Sequence, residues 1–142
     1  MVVDRPAYPE ALESAWLRLA MEALAVRDTE ALCARLEPAV ARLSDLFTTE
    51  RAAGFGRYAD TPELLAAYGL FFFPQTFVRT AFALAECDAR APEALGAAPG
   101  RPFLLADLGA GTGAAGLAAA AFAPTPVRPV RPAAFDQPHH DS

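Results

Sequence analysis

Lysine is absent from this chain of 142 residues, so every strongly basic side chain is an arginine. The 12 arginines are outnumbered by 17 acidic residues, and the formal net charge at pH 7 is −5. Domains that bind nucleic acid through its phosphates are typically basic. The composition therefore excludes a general basic surface for nucleic acid, and we expect no DNA partner.

Cysteine is also scarce, because the chain contains only two. Two cysteines are too few for a disulfide framework or for a zinc site built from thiolates. Both lie inside helical patterns, and we expect Cys33 and Cys87 to be small, buried apolar residues in a reducing compartment. We predict no metal site.

Long hydrophobic runs are missing as well. The best membrane candidate, residues 117–126, has about half of the roughly 20 residues that a spanning helix needs. Residues 1–9 lack the basic and apolar regions of a secretory signal. We therefore expect no membrane partner and a cytoplasmic location.

A helical pattern extends from residue 9 to about residue 90. Two apolar stripes recur at helical spacing; they are Leu12, Trp16, Leu19, Ala23 and Val26, and then Leu32, Leu36, Val40, Leu43 and Phe47. Asp28 or Thr29 is suited to cap the second helix. Pro38 lies inside that helix and should kink or split it.

A third helix has a clear start signal, with Thr61 as the N-cap, Pro62 in the first helical position and Glu63 in the first turn. Proline disfavours helical geometry in the residue before it, so Pro74 predicts a helix boundary at Phe73. The aromatic residues Phe71, Phe72, Phe73 and Phe77 are expected in the core rather than as a platform for stacking bases.

The pattern changes after residues 91–101, which contain two prolines and two glycines. Residues 103–106 form a short apolar run that is typical of a buried parallel strand. A glycine-rich turn and an alanine-rich helix to about residue 122 follow, and residues 133–135 could form a second strand. The predicted fold class is therefore α/β, with a helical region over residues 1–90, a connection over 91–101 and a β-α-β unit within 102–142.

Two glycine patterns fit the turn. An acid-x-G-x-G-x-G pattern fits Asp107, Gly109, Gly111 and Gly113, whereas the dinucleotide pattern G-x-G-x-x-G fits Gly111, Gly113 and Gly116. The dinucleotide alignment would place the Asp107 carboxylate in the middle of a buried strand, which costs several kcal/mol. The first alignment is favoured because it places this acid at the end of the strand, although Asp107 could also simply cap the turn.

The acid-x-G-x-G-x-G pattern resembles the first motif of class I S-adenosylmethionine-dependent methyltransferases. The resemblance implies S-adenosylmethionine as the cofactor, held by Asp107 and the three glycines of the motif. In that family an acidic residue that ends the second strand binds the ribose hydroxyls, and Asp136 is the candidate. A dinucleotide enzyme keeps an acid at the same place, so Asp136 does not separate the two cofactors, and it could instead be a solvated acid in the C-terminal tail.

The aromatic segment at residues 68–79, followed by the glycine motif, looks like the methyltransferase-like family associated with the mitochondrial small ribosomal subunit, with its bacterial relatives. The resemblance implies small-subunit assembly or rRNA methylation, with Gln75, Thr76 or Arg79 near the cofactor. Arg79 could instead pair with Glu86 or stay solvated. His139 and His140 are expected in a tail rather than on a metal.

Two features of that family are missing, namely the later strands that carry the methyl-acceptor pocket and the downstream cysteines of many members. We therefore expect a Rossmann-like methyltransferase domain that is truncated, an N-terminal fragment that is inactive alone, with its missing C-terminal half on a longer chain. No catalytic residue is identified. The alternatives are a non-catalytic ribosome-assembly module that keeps a relic cofactor loop and, less favoured, a dinucleotide-binding fragment.

Overall fold

The computed structural model describes residues 6–48, 60–91, 95, 105–108 and 110–122, and this part of the chain forms five α-helices and one π-helical turn. The elements are α1 (Glu10–Ala23), α2 (Thr29–Thr48), α3 (Pro62–Ala67), the π turn (Tyr68–Phe72), α4 (Phe73–Arg90) and α5 (Ala114–Phe122). The helical pattern predicted for residues 9–90 is thus confirmed where it is described. None of these helices is both long enough and apolar enough to cross a bilayer.

The described residues fall into two compact units, one from Tyr8 to Pro74 and one that holds residues 6–7 and the described residues from Gln75 onward. In the first unit, α3 packs against both α1 and α2. The core of this unit is made of small and branched apolar side chains, which are Ala20, Leu24, Leu32, Leu36, Ala39, Leu43, Ala66 and Ala67.

Short polar side chains begin two of these helices. The Asp28 carboxylate accepts a hydrogen bond from the Ala31 N–H at 2.8 Å, and the Thr61 hydroxyl accepts one from the Leu64 N–H at 3.2 Å. Each bond satisfies an N–H group that has no acceptor inside its helix. Both predicted helix starts are confirmed, with Asp28 as the cap of α2.

An exposed ion pair links α2 to α3. The Arg35 guanidinium donates a hydrogen bond to the Glu63 carboxylate at 2.9 Å. This hydrogen bond, together with one from the backbone, lowers the pKa of Glu63.

Pro38 does not split α2. The helix is continuous from Thr29 to Thr48 with Pro38 inside it, so a split at Pro38 is wrong, whereas a kink there stays a prediction. Proline removes one backbone hydrogen bond, but Leu36, Ala39 and Leu43 are buried on either side of it. Packing of this apolar face stabilises the helix more than the proline disrupts it.

The prediction for Pro74 is confirmed in its position, because α4 begins at Phe73, but it is wrong in the geometry of Phe73. Phe73 has helical dihedral angles (φ −58°, ψ −49°), and its N–H donates to the Tyr68 carbonyl five residues earlier. A proline ring clashes with the carbonyl four residues before it in a regular α-helix. The wider π turn ends at Phe72, two residues before Pro74, and changes this register, so α3 passes into α4 without a break.

The α/β fold class is contradicted, because the described residues contain helices and no β-strand. In the predicted strand 103–106, the two described residues have no regular structure, and Leu108 forms only a single β-bridge. Leu105 and Leu108 are 46% and 79% exposed, whereas a parallel strand is buried on both faces. The second predicted strand, residues 133–135, lies outside the described residues.

Cys33 and Cys87 are free thiols, and both are exposed. The expectation that they are buried is therefore wrong. Cys33 follows the core residue Leu32, so it lies beside the apolar stripe of α2 rather than on it. Cys87 lies between two acidic residues on α4.

A candidate ligand-binding turn

The glycine-rich segment forms a tight turn immediately before α5. The N–H of Gly113 donates to the carbonyl of Ala110 at 2.8 Å, which closes the turn. Gly111 and Gly113 have φ angles of 53° and 80°. These left-handed conformations are strained for residues with a Cβ atom, so the two positions favour glycine.

Asp107 is bonded to the first turn of α5. Its Oδ2 atom accepts a hydrogen bond from the N–H of Gly116 at 3.1 Å. The first backbone bond of α5 runs from the Leu117 N–H to the Gly113 carbonyl at 2.9 Å. The N–H groups of Ala114 and Ala115 therefore have no acceptor inside the helix, and Asp107 satisfies the third such group.

Thr112 is a polar residue of the turn that the sequence patterns did not single out. Its hydroxyl oxygen is buried and has no hydrogen-bond partner within the described residues. A buried hydroxyl without a partner costs free energy. The sequence feature that could have indicated Thr112 is its position, since it is a hydroxyl residue between two glycines of the motif, where the backbone reverses.

Among the described residues, open space lies beside Gly113, because a Cβ atom built there would meet none of their atoms within 4 Å. Gly116 differs, since a Cβ atom there would lie 3.5 Å from Asp107 Oδ2, which is ordinary van der Waals contact. The dinucleotide pattern uses its third glycine for close packing of the helix. Space does not require glycine at position 116, and this observation weighs against the dinucleotide alignment.

Two residues of the predicted site, Gly109 and Asp136, lie outside the described residues. Of the residues that the family resemblance placed near the cofactor, Gln75 and Arg79 contact each other on α4, with Arg79 Nη2 3.4 Å from Gln75 Oε1. Glu86, the alternative partner proposed for Arg79, forms an ion pair with Arg90 at 3.0 Å.

The phenylalanines divide between core and surface. Phe73 and Phe77 are 1% and 3% exposed, which confirms the core prediction for both. Phe71 is 49% exposed, so the same prediction is wrong for that residue. It lies in the π turn with its ring edge against Phe72.

Within the part of the chain that the structure describes, no three histidine, cysteine or acidic side chains lie close enough together to hold a metal ion. His139 and His140 are outside this part. No protein-family model, curated protein or solved structure matches the chain. A functional assignment therefore depends on the geometry of the turn and on the motif that forms it.

Proposed function

We propose that the turn from Asp107 to Gly116 binds S-adenosylmethionine. We further propose that the chain provides cofactor binding for an S-adenosylmethionine-dependent methyltransferase linked to the small ribosomal subunit. The observation that carries the cofactor proposal is the pair of left-handed glycines, Gly111 and Gly113, directly before the N-terminus of α5. Such a turn lets a ligand approach the backbone closely.

The groups of the turn suit this cofactor. The N–H groups of Ala114 and Ala115 at the positive end of α5 are suited to its carboxylate. The buried Thr112 hydroxyl can donate or accept one hydrogen bond, and the space beside Gly113 leaves room for a ligand. When bound, the cofactor would supply an electrophilic methyl group on a sulfonium, and these residues would bind and orient it.

The proposal does not include a β-α-β sheet, because the described residues contain none. It requires only the turn, its glycines and the helix that follows. The proposed link to small-subunit assembly or rRNA methylation rests on the aromatic segment and the glycine motif together. Asp107, Gly111 and Gly113 are proposed as cofactor-site residues, and Gly109 and Asp136 stay predictions from the motif.

Calorimetric titration with S-adenosylhomocysteine, the demethylated cofactor, tests the proposal. We expect the unmodified chain to bind and Gly111→Val to bind at least about tenfold more weakly, because a β-branched residue strains the left-handed turn. Ala120→Val is the matched control, since it adds a valine at an exposed position of α5, outside the turn. An unmodified chain that shows no binding at millimolar ligand would contradict the proposal.

Two further measurements separate the alternatives. Titration with NAD in place of S-adenosylhomocysteine tests the dinucleotide alignment, and we expect no binding. Co-sedimentation with small ribosomal subunits tests the proposed partner. If the chain co-sediments but does not bind S-adenosylhomocysteine, a non-catalytic assembly module replaces the methyltransferase proposal.

A further inference from the structure

We propose that Asp107 is a positioning residue, which holds the glycine turn in its binding conformation by accepting the Gly116 N–H and does not act on the ligand through its charge. This inference deepens the proposed function and rests on it for its effect on ligand affinity. It changes the role that the motif resemblance implies for Asp107, from a cofactor contact to a support for the backbone that makes the contact.

The first step is the geometry of Asp107. Its Oδ2 atom lies 3.1 Å from the nitrogen of Gly116, nine residues further along the chain. The same oxygen is 3.5 Å from the place where a Cβ atom of Gly116 would be. The carboxylate therefore lies against the first turn of α5 and joins the two ends of the glycine segment.

The second step concerns the glycines between these two ends. Gly111 and Gly113 can adopt many backbone conformations in a loose chain, and fixing them costs more conformational entropy than fixing other residues. The bond from Gly116 to Asp107 closes this segment, as does the bond from Gly113 to Ala110. A segment that is already closed loses less freedom when a ligand binds, so affinity rises without a new ligand contact.

The third step concerns which N–H groups of the first turn of α5 are already bonded. Asp107 satisfies the N–H of Gly116 and leaves those of Ala114 and Ala115, which have no acceptor inside α5. The buried Thr112 hydroxyl belongs to the same turn. The proposed function assigns these three uncharged groups to the ligand, and the carboxylate already has a donor.

Substitution of Asp107 by Asn and by Ala distinguishes positioning from direct contact. The Asn side chain keeps an oxygen that can accept the Gly116 N–H, and Asn equals Asp as a helix cap, whereas Ala has no acceptor. We expect Asp107→Asn to bind S-adenosylhomocysteine within about threefold of the unmodified chain, and Asp107→Ala to bind about tenfold more weakly. Asp88→Ala, which removes an exposed acid from α4, controls for the change in net charge.

The amide proton of Gly116 provides a readout that needs no ligand. We expect hydrogen exchange of this amide, measured by NMR, to be slow in the unmodified chain and in Asp107→Asn, and fast in Asp107→Ala. The amides of α4 from Gln75 onward, which lie in the same compact unit as Asp107 and α5, should exchange equally in all three, which shows that this unit is folded in each variant.

Two results would overturn the inference. Either Asp107→Asn binds as weakly as Asp107→Ala while its Gly116 amide stays protected, or Gly116 exchanges equally slowly without the carboxylate. If the unmodified chain does not bind S-adenosylhomocysteine, the proposed function fails, whereas the exchange of Gly116 still decides whether Asp107 holds the turn.

Discussion

At Gly69 the main chain lies so close to the Trp16 ring that a Cβ atom would overlap the ring carbons. Gly111 and Gly113 are needed for a different reason, their left-handed dihedral angles. Gly116 has neither constraint, because a Cβ atom there makes only ordinary contact. Glycines that share one motif, or one helical pattern, therefore differ in how well they tolerate a side chain.

Substitution of Gly69 by Ala tests the close approach to Trp16. Alanine normally stabilises a helix relative to glycine, but the added methyl group would force the ring or the backbone to move. We expect the free energy of unfolding to fall by about 1–3 kcal/mol, as for other overpacked sites. Urea denaturation followed by circular dichroism measures this change.

Gly116→Ala is the matched substitution, with the opposite expected sign. It should raise the free energy of unfolding by about 0.5 kcal/mol, because it reduces the entropy of the unfolded chain without a clash. Equal effects at the two positions would show that the contact between Gly69 and Trp16 is not what makes glycine necessary there.

The candidate site was predictable from sequence only in part. The glycine pattern predicted the tight turn, because left-handed backbone at Gly111 and Gly113 favours glycine, whereas cofactor binding by Asp107 and these glycines stays a prediction. Thr112 was missed, since whether a hydroxyl is buried without a partner depends on what packs around it. The burial of Cys33 and Cys87 was predicted wrongly for the same reason, because a helical pattern does not by itself indicate which face of the helix is covered.

Among the elements, the helix starts were the easiest to predict. The caps at Asp28 and Thr61 depend on hydrogen bonds between residues three positions apart, which local sequence determines. The predicted stripe of α1 is right in part, because Trp16 packs against Phe73 and Val26 against the core, whereas Leu19 is 53% exposed. Other core residues of this segment follow the spacing i, i+3, i+4, i+7, and they are Leu17, Ala20, Met21 and Leu24.

The continuity of α2 through Pro38 leads to a prediction for that helix. Pro38→Ala restores an N–H that can donate to the Ala34 carbonyl and removes the clash of the proline ring. We expect the free energy of unfolding to rise by about 1–3 kcal/mol, measured by urea denaturation.

Pro62→Ala provides the control for this helix. Pro62 occupies the first turn of α3, where its missing N–H has no partner to lose. Its substitution should change the free energy of unfolding by less than about 0.5 kcal/mol. A similar gain at both prolines would mean that Pro38 imposes no special cost on α2.

On the scale of the whole molecule, the helical half was predictable and the fold class was not. The helices repeat an apolar stripe over many residues, which is a strong signal. The α/β prediction depended on four apolar residues, 103–106, and a run of this length does not by itself indicate a strand. A parallel strand also needs a neighbouring strand and cover on both faces, and neither condition is visible in one short segment.

The core of the Tyr8–Pro74 unit provides a test on this scale. Leu43 is 0% exposed, and we expect Leu43→Ala to lower the free energy of unfolding by about 2–5 kcal/mol through lost burial and the cavity that remains. Thermal and urea denaturation measure the loss. Leu19→Ala removes the same atoms from a side chain that is 53% exposed, and it should cost less than about 1 kcal/mol.

Trp16 is the single tryptophan of the chain, and its ring lies edge-on to Phe73 with 5.5 Å between the ring centroids. The intrinsic fluorescence of the protein at long excitation wavelength therefore originates from one position, in the unit that contains α1 and the π turn. A shift of the emission maximum to the red would report exposure of this one indole to water. The chain thus carries its own optical probe of that packing, with no label required.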